Sequence, residues 1–346
     1  MPTLPKSNFL FVTCQVGAER AVKGELARLW PDFRAAYSRP GFLTFKLPDE
    51  HGLPDDLNLR SVFARSYGFS LGKVRTADEP ARVRQLATLA GEQPFDKLHV
   101  FQRDRAAPGD RGFEPGITPA AEAAEAAIKH FWPAEAAPLP GGGALAKAGQ
   151  TVLDCVIVEP DEWWIGCHCA SGWASRRPGG LSRMELPAEA VSRAYLKMAE
   201  ALAWSRLPIA RGDVAAELGC APGGSCQALL RHGLKVIGVD PAAMPEVLLA
   251  DPHFHHLRKR ASDVRRNVFR PVKWLFADMN VAPQYTLDAV ESIATSRHAQ
   301  PRGLLLTLKL LEWELAEETP AYLERIRSWG FPFVRARQLQ HNRQEI

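Results

Sequence analysis

Short apolar runs alternate with amphipathic segments along the second half of the chain. From residue 187 onward, runs of strand length are separated by segments whose apolar residues recur at helical spacing. We predict strands at 214–218, 235–239, 255–257, 274–277, 303–309 and 333–339, and helices at 188–202, 225–231, 287–297 and 319–329. This alternation is typical of a Rossmann-like, doubly wound α/β domain with a mostly parallel sheet.

The first half of the chain shows a different order of elements. We predict strands at 8–14, 33–37, 42–47, 66–74, 97–102, 151–158 and 163–169, and helices at 18–30, 57–64, 80–89 and 119–131. Up to residue 75 the order is β-α-β-β-α-β, that of a ferredoxin-like unit. We therefore predict an α+β half made of domains 1–75 and 76–180, followed by the α/β domain at 181–346.

A glycine-rich turn after the predicted strand at 214–218 is the candidate ligand site. The turn reads GCAPGGS, and the next predicted strand ends on Asp240. Glycine lets the backbone approach a ligand closely, and a carboxylate at the second strand end lies where ribose hydroxyls bind. The spacing fits neither the GxGxxG dinucleotide motif nor a P-loop. We therefore predict an adenosine-containing cofactor with little phosphate, S-adenosylmethionine.

The predicted cofactor-binding residues lie on this turn and near the ends of neighbouring strands. They are Ser192, Gly219, Cys220, Ala221, Pro222, Gly223, Gly224, Ser225, Asp240, Asp263 and Asp278. Among them, Asp263 is the expected partner of the adenine edge. An ordinary glycine turn without a ligand is the alternative, and the acid about 20 residues further on argues against it.

Composition narrows the class of protein without naming a function. The 346 residues are 46% hydrophobic and 24% charged, which is ordinary for a globular protein of two or three domains. The formal net charge of +4 is compatible with nucleic acid but does not require it. No apolar run approaches the roughly 18 residues of a membrane span, and the six cysteines form no CxxC pair. We expect a cytoplasmic monomer with reduced thiols and no membrane partner.

Two other predicted strands end on residues that are able to carry chemistry. Asp278 follows an apolar strand, and Lys309 ends a run of leucines. An ammonium group at a partly buried strand end needs a charge partner. The alternative is that Lys309 simply reaches solvent.

Together these residues resemble the FtsJ-like 2′-O-ribose RNA methyltransferases. ELGCAPGG is similar to that family's DLGxxPGG motif, and the segment SRAYLK at 192–197 is similar to the segment that supplies its first lysine. The resemblance implies a catalytic tetrad of Lys197, Asp278, Lys309 and Glu345. It also implies S-adenosylmethionine as methyl donor, a cytidine ribose in large-subunit (23S) ribosomal RNA as acceptor, and a THUMP-like RNA-binding region at 76–180.

Two residues depart from that family's pattern. Glu217 stands where the family more often has aspartate, which lengthens the arm but keeps the charge. Glu345 is the penultimate residue, so the last strand usual in the family is absent or a stub. We expect Glu345 to be held by pairing of residues 335–339 with the sheet and by contacts of residues 342–344.

Methylation of a ribose 2′-hydroxyl explains the need for such a tetrad. The hydroxyl is a poor nucleophile, so the protein must position its oxygen and accept its proton. Burial and a neighbouring ammonium lower the pKa of a lysine, whereas carboxylates raise it. We predict that Lys309 is the base or holds the oxygen, and that Lys197 holds the oxygen or tunes Lys309. Asp278 and Glu345 would orient the two lysines.

A basic segment beside the cofactor strands is the candidate RNA surface. Its cations, with three from an earlier segment, are Arg258, Lys259, Arg260, Arg265, Arg266, Arg270 and Lys273, and Arg176, Arg177 and Arg183. The nearby His253, His255 and His256 invite a metal site. We predict none, because no cysteine or carboxylate set completes a coordination shell there.

Other functions remain open from the sequence alone. The alternatives are methylation of a ribose in another RNA, such as transfer RNA or a cap, and RNA binding without catalysis. The four tetrad residues argue against a non-catalytic protein. Methylation of a base is disfavoured, because the chain lacks a catalytic Pro-Cys motif and residues 278–281 read DMNV, unlike the Asn/Asp-Pro-Pro-Tyr motif of amine methylation.

Overall fold

The chain folds into two compact units, which divide after Arg183. The computed structural model describes residues 4–49, 52–142 and 145–346. Within these ranges every helix is too short or too polar to cross a lipid bilayer. All six cysteines are free thiols. The division lies close to the boundary predicted at residue 180.

The first unit is built on one seven-stranded sheet in the order β2-β3-β1-β4-β7-β6-β5. The strands are β1 (Phe9–Thr13), β2 (Arg34–Arg39), β3 (Phe42–Lys46), β4 (Ser66–Arg75), β5 (Lys97–Gln102), β6 (Thr151–Glu159) and β7 (Glu162–Cys169). The helices are α1 (Glu19–Leu29), α2 (Glu79–Ala90) and α3 (Pro119–Phe131). Only β5 and β6 pair in parallel; the other neighbours are antiparallel.

Both predicted N-terminal domains contribute strands to this sheet. β4, from the part up to residue 75, pairs with β7, and Phe69 lies opposite Cys167 in the register. The chain segments on either side of residue 75 therefore lie in one compact unit. The ferredoxin-like and THUMP-like assignments stay predictions.

The helix predicted at 57–64 is wrong, because its backbone is bonded to another helix. The buried carboxylate of Glu25, on α1, accepts hydrogen bonds from the backbone N–H of Val62 at 3.0 Å and of Phe63 at 3.3 Å. Amides bonded to a side chain compete with the helical ladder. The observed order up to residue 75 is β-α-β-β-β, without the second helix.

The second unit has a five-stranded parallel sheet in the order β10-β9-β8-β11-β12. Its strands are β8 (Val214–Leu218), β9 (Lys235–Val239), β10 (Phe254–Leu257), β11 (Trp274–Ala277) and β12 (Gly303–Leu306). Its helices are α4 (Ala194–Ser205), α5 (Gly224–Arg231), α6 (Glu246–Leu249), α7 (Pro283–Ala294) and α8 (Thr319–Ser328). This arrangement confirms the predicted Rossmann-like α/β fold. Successive strands are added on one side of β8 up to β10 and then on its other side from β11, so the topological switch point lies between β8 and β11.

Several predicted elements of this unit have other bounds or are absent. The helix predicted at 287–297, for example, is observed at Pro283–Ala294. The helix predicted from residue 188 begins at Ala194, and the N–H of Val191 instead donates to the Gln227 side chain at 3.1 Å. β12 ends at Leu306 rather than at residue 309. Residues 333–339 form no strand.

The segment 333–339 lies against α4 rather than extending the sheet. The Arg335 guanidinium donates to the carbonyl oxygens of Trp204 and Ser205, each at 2.8 Å, and stacks over the Trp204 ring at 4.4 Å. These contacts hold the segment at the carboxyl end of α4. Glu345 therefore takes no support from a strand at 333–339.

Asp213 joins the start of β8 to the start of β11. Its carboxylate accepts hydrogen bonds from Lys273 Nζ at 2.6 Å and Trp274 Nε1 at 2.8 Å. These two side-chain bonds, with one from the Ala210 N–H, lower the pKa of Asp213 to about 2. The carboxylate is thus ionised throughout the neutral range and fastens two neighbouring strands of the sheet.

We predict that Asp213→Asn lowers the unfolding temperature at pH 7, with a difference from the wild type that shrinks on acidification. A depressed pKa stabilises the fold above the unfolded value of about 3.9, and this stabilisation is lost as the pH falls through about 2. Calorimetry from pH 7 to 2 measures the difference, with the exposed Asp32→Asn as control. A pH-independent difference would contradict the assignment.

Candidate active site

Four charged side chains of the second unit meet in one closed cluster, here called the charge ring. Lys197 Nζ, from α4, lies 2.7 Å from Asp278 Oδ2 and 2.8 Å from Glu345 Oε1. Lys309 Nζ lies 3.1 Å from Asp278 Oδ1 and also contacts Glu345 Oε2. Each ammonium group therefore contacts both carboxylates, and the signs of charge alternate around the ring.

The charge ring is largely shielded from water. The exposed fractions of the side chains are 4% for Glu345, 9% for Lys197, 12% for Asp278 and 19% for Lys309. Burying an unpaired ion costs several kcal/mol, so each group depends on its neighbours. Two positive and two negative charges balance, and Lys309 is the member most open to a ligand.

The contacts within the ring set the ionisation of Lys309 and Asp278. Burial lowers the pKa of Lys309, but the carboxylates of Glu345 and Asp278 outweigh burial and raise it above the usual range. Burial raises the pKa of Asp278, but Lys197 and Lys309 prevail and lower it. In this state Lys309 is an ammonium ion and Asp278 a carboxylate.

Glu345 is held by main-chain pairing despite its place near the chain end. The backbones of Leu308 and Ile346 exchange two hydrogen bonds, of 2.8 and 3.1 Å, around an antiparallel bridge between Lys309 and Glu345. Gln344 O accepts a third bond, from the N–H of Leu310, at 2.9 Å. Pairing with the backbone around Lys309, and not the expected pairing of 335–339 with the sheet, therefore supports Glu345.

Glu200 is a contributor that the sequence analysis missed. It is 2% exposed, and its carboxylate accepts hydrogen bonds from the N–H of Gln340 at 3.0 Å and of His341 at 3.1 Å. Glu200 lies three residues after Lys197 on α4, and this spacing puts both on one helix face. The sequence did contain a signal for Glu200: it is a second charged residue on the apolar helix face that carries Lys197, which indicates a buried carboxylate with a partner.

The glycine turn between β8 and α5 is packed tightly against neighbouring segments. Gly219 and Gly223 have φ values of +77° and +110°, which favour glycine. A Cβ atom on Gly219 would lie 2.8 Å from the carbonyl oxygen of Asp278, and one on Gly223 would collide with the side chains of Leu248 and Met244. Both glycines are thus required by contacts within the protein itself.

The parallel register brings three predicted cofactor positions to one edge of the sheet. Leu218 pairs with both Val239 and Ala277, and these three residues end β8, β9 and β11. The residues that follow each strand are therefore neighbours at the carboxyl edge. They are Gly219, Asp240 and Asp278.

Asp240 ties the glycine turn to the end of β9. Its Oδ2 accepts a hydrogen bond from the N–H of Ala221 at 3.2 Å, and its Oδ1 accepts one from Ala242 at 2.8 Å. Each carboxylate oxygen has a further lone pair, so Asp240 is still able to accept from a ribose hydroxyl. Together with the N-terminus of α5 behind the turn, this edge fits a nucleoside cofactor.

The other predicted cofactor residues lie on the turn itself or in two separate segments. Cys220, Ala221, Pro222, Gly224 and Ser225 complete the turn and begin α5, and Ser192 lies two residues before α4 begins at Ala194. The Ser192 hydroxyl is buried and has no hydrogen-bond partner among the residues that the structure describes. Asp263 is exposed in a 3-10 turn after β10, where its carboxylate accepts a hydrogen bond from the Ser262 hydroxyl at 2.9 Å.

Glu217 lies fully buried in β8, beside the turn. Burial raises its pKa to about 8, although the Cys226 thiol donates to its Oε2 at 2.8 Å. The carboxyl group is thus mostly protonated at pH 7. A protonated Glu217 is neutral, so it does not disturb the balance between the two ammonium groups and the two carboxylates of the charge ring.

The basic segment is divided between structural and exposed cations. Arg266 donates to the carbonyl oxygens of Ala261 and Val264, and Lys273 pairs with Asp213. The exposed cations are Arg258, Lys259, Arg260, Arg265 and Arg270. These five are available to phosphate groups.

Comparisons with known proteins agree with this reading of the second unit. Residues 190–320 match the family model described as FtsJ-like methyltransferase. Ribosomal RNA large subunit methyltransferase M of Xylella fastidiosa (strain M12) is 35% identical over 175 residues, 48% of this chain and 49% of that protein. The protein of that name from Aromatoleum aromaticum is 31% identical over 217 residues, 59% and 57% of the two chains.

The chain spans about half the length of these curated relatives. Among solved structures, TrmN from Thermus thermophilus aligns with 92% of this chain and 91% of its own, at 18% identity and a TM-score of 0.34. That score is too low to support an argument from the likeness.

We predict that Glu200→Ala loosens the segment that carries Glu345. The variant removes the carboxylate that accepts from two buried N–H groups, and losing such an acceptor costs roughly 1–3 kcal/mol. Amides of 340–346 should exchange with deuterium faster, whereas Glu324→Ala, which removes an exposed ion pair with Arg327 on α8, should leave them unchanged. Equal exchange in both variants would show that Glu200 does not position this segment.

Proposed function

We propose that this chain, which carries an FtsJ-like methyltransferase domain at residues 190–320, transfers a methyl group from S-adenosylmethionine to a ribose 2′-hydroxyl of RNA. The observation that carries this proposal is the charge ring. Two lysines and two carboxylates close on one another within 3.1 Å, beside the strand edge that fits a nucleoside. Burying four charged groups costs desolvation energy, and ionisable groups with shifted pKa values at a strand edge that fits a ligand are candidates for a catalytic role.

The glycine turn and Asp240 would hold the cofactor, with Ser192, Ser225 and Asp263 as further proposed contacts. When bound, the cofactor supplies a methyl group that its sulfonium makes electrophilic. Asp278 belongs both to this edge and to the charge ring. Its position would place the acceptor oxygen close to the cofactor.

Within the ring, Lys309 is assigned to hold the ribose oxygen. It is the most exposed member, and its raised pKa keeps it a cation that donates to oxygen rather than a base. Lys197 and the two carboxylates orient it. The carboxylates of Asp278 and Glu345 would then accept the proton when the hydroxyl is methylated.

The proposed substrate is large-subunit (23S) ribosomal RNA, with a cytidine as the target nucleoside. The names of the two relatives support the RNA, and the five exposed cations after β10 offer phosphate contacts. Residues 76–180, as a THUMP-like region, would hold the RNA. The protein would act as a monomer in the cytoplasm, where ribosomal RNA is assembled.

We predict that Lys309→Ala reduces methyl transfer to 23S ribosomal RNA by about 10²-fold or more, because the acceptor oxygen loses its positioning group. Binding of S-adenosylmethionine, measured by calorimetry, should be nearly unchanged. Lys235→Ala serves as the matched control, since Lys235 is exposed at the opposite end of β9. Full turnover by the Lys309 variant would remove it from the reaction.

We predict that Asp240→Asn weakens cofactor binding and leaves methyl transfer intact once the cofactor is saturating, the opposite of the effect expected for Lys309→Ala. The variant keeps the length of the side chain but replaces one acceptor oxygen and the negative charge, so the affinity for S-adenosylmethionine should fall at least tenfold. Methyl transfer should then recover at saturating cofactor. Unchanged affinity would show that the cofactor does not bind at this strand edge.

The pH dependence of the rate should distinguish a cationic Lys309 from a basic one. Glu345 raises the pKa of Lys309, so Glu345→Gln should lower that pKa. If the ammonium form is active, the loss of rate at alkaline pH should begin at lower pH in the variant. A rate that instead rises with pH, over a range shifted to lower pH in the variant, would identify neutral Lys309 as the base.

A further inference from the structure

The first unit contains a buried cluster of two histidines and an aspartate that methyl transfer does not use. His99, on β5, pairs with Asp154, on β6, in the strand register. Asp154 pairs in turn with Gly166, which lies two residues before His168 on β7, so the three side chains share one face of the sheet. His99 and Asp154 are fully buried, and His168 is 6% exposed.

Several polar atoms of this cluster have no hydrogen-bond partner. Among the residues that the structure describes, both ring nitrogens of His99 and Oδ1 of Asp154 lack one. An unsatisfied buried polar group costs roughly 1–3 kcal/mol. One nitrogen or oxygen atom from each of the three residues lies within 4.8 Å of the others. A single cation could therefore satisfy His99 and Asp154 together.

His168 is already oriented as metal-binding histidines are. Its Nε2 donates to the carbonyl oxygen of Ser175 at 2.6 Å, and its Nδ1 lies 2.5 Å from Asp154 Oδ2. A metal-bound imidazole usually donates its other ring N–H to a carbonyl or carboxylate group, which fixes the ring. The Ser175 bond thus leaves Nδ1 as the ligand atom.

We propose that His99, Asp154 and His168 bind a divalent transition-metal ion of the zinc class, each through one atom. The ion would take the place of the proton between His168 Nδ1 and Asp154 Oδ2, and that proton would leave to solvent without any redox change. Zinc binds imidazole nitrogen and carboxylate oxygen at about 2.0–2.2 Å, so the contact of 2.5 Å must widen to roughly 3.4 Å. Imidazole ligands favour zinc over magnesium.

Such an ion would fasten three neighbouring strands of the first unit to one another. β5 and β6 pair in parallel, and β7 returns antiparallel to β6. Through Ser175, the ion would also fix the segment that follows β7. The expected effect is a more stable first unit, independent of methyl transfer.

His99→Leu tests the proposal, because leucine fills a similar volume without any ligand atom. The full chain, stripped with a chelator and titrated with Zn²⁺, should bind one equivalent tightly and unfold several degrees higher. Co²⁺ should give visible absorption bands of low-symmetry coordination at the same stoichiometry. His99→Leu and Asp154→Asn should abolish all three signals, whereas His255→Ala, on an exposed strand position, should keep them.

The metal-free proteins give an independent readout. If the cluster holds only a proton or a buried water, His99→Leu should be as stable as the wild type or more so, and Zn²⁺ should shift the unfolding of neither. That result would overturn the proposal.

The control variant gives a second way to contradict it. If His255→Ala loses the effect of zinc, the ion binds to surface histidines and not to the buried cluster. Should a cluster variant fail to fold, zinc stoichiometry and the cobalt spectrum of the wild type still decide.

Discussion

The alternating contacts of Lys197, Asp278, Lys309 and Glu345 are the constraint on which the second unit depends. None of these groups could be buried alone, because an isolated ion in a protein interior costs several kcal/mol. In the ring each ammonium contacts both carboxylates, so the burial is compensated within the set. The same balance raises the pKa of Lys309 and favours its role as a positioning cation.

Three features of the fold position the residues of the charge ring. The parallel register places Asp278 beside the glycine turn and Asp240, so the ring and the proposed cofactor edge share a residue. α4 supplies Lys197, and one turn later Glu200 anchors the backbone at 340–341. The bridge between Lys309 and Glu345 completes the arrangement.

The sequence predicted the parts of this unit that depend on local patterns. β8, β9 and β11 begin and end where predicted, because each is a short apolar run bounded by turn or polar residues. The helix predicted at 57–64 and the strand predicted at 333–339 were wrong, because hydrogen bonds to residues distant in sequence set the backbone conformation. Glu25 accepts from the first segment, and the Trp204 carbonyl oxygen accepts from the second. The partners of Glu200 and His99 are likewise distant in sequence, so local patterns did not identify them.

The chemical identity of the product tests the central claim most directly. The intact protein would be incubated with radiolabelled S-adenosylmethionine and 23S ribosomal RNA from cells lacking it, and the RNA would then be digested to nucleosides. The account predicts that the label is recovered in a 2′-O-methylated nucleoside, with cytidine as the proposed base. Label in a base-methylated nucleoside, or none in RNA while the cofactor binds, would contradict it.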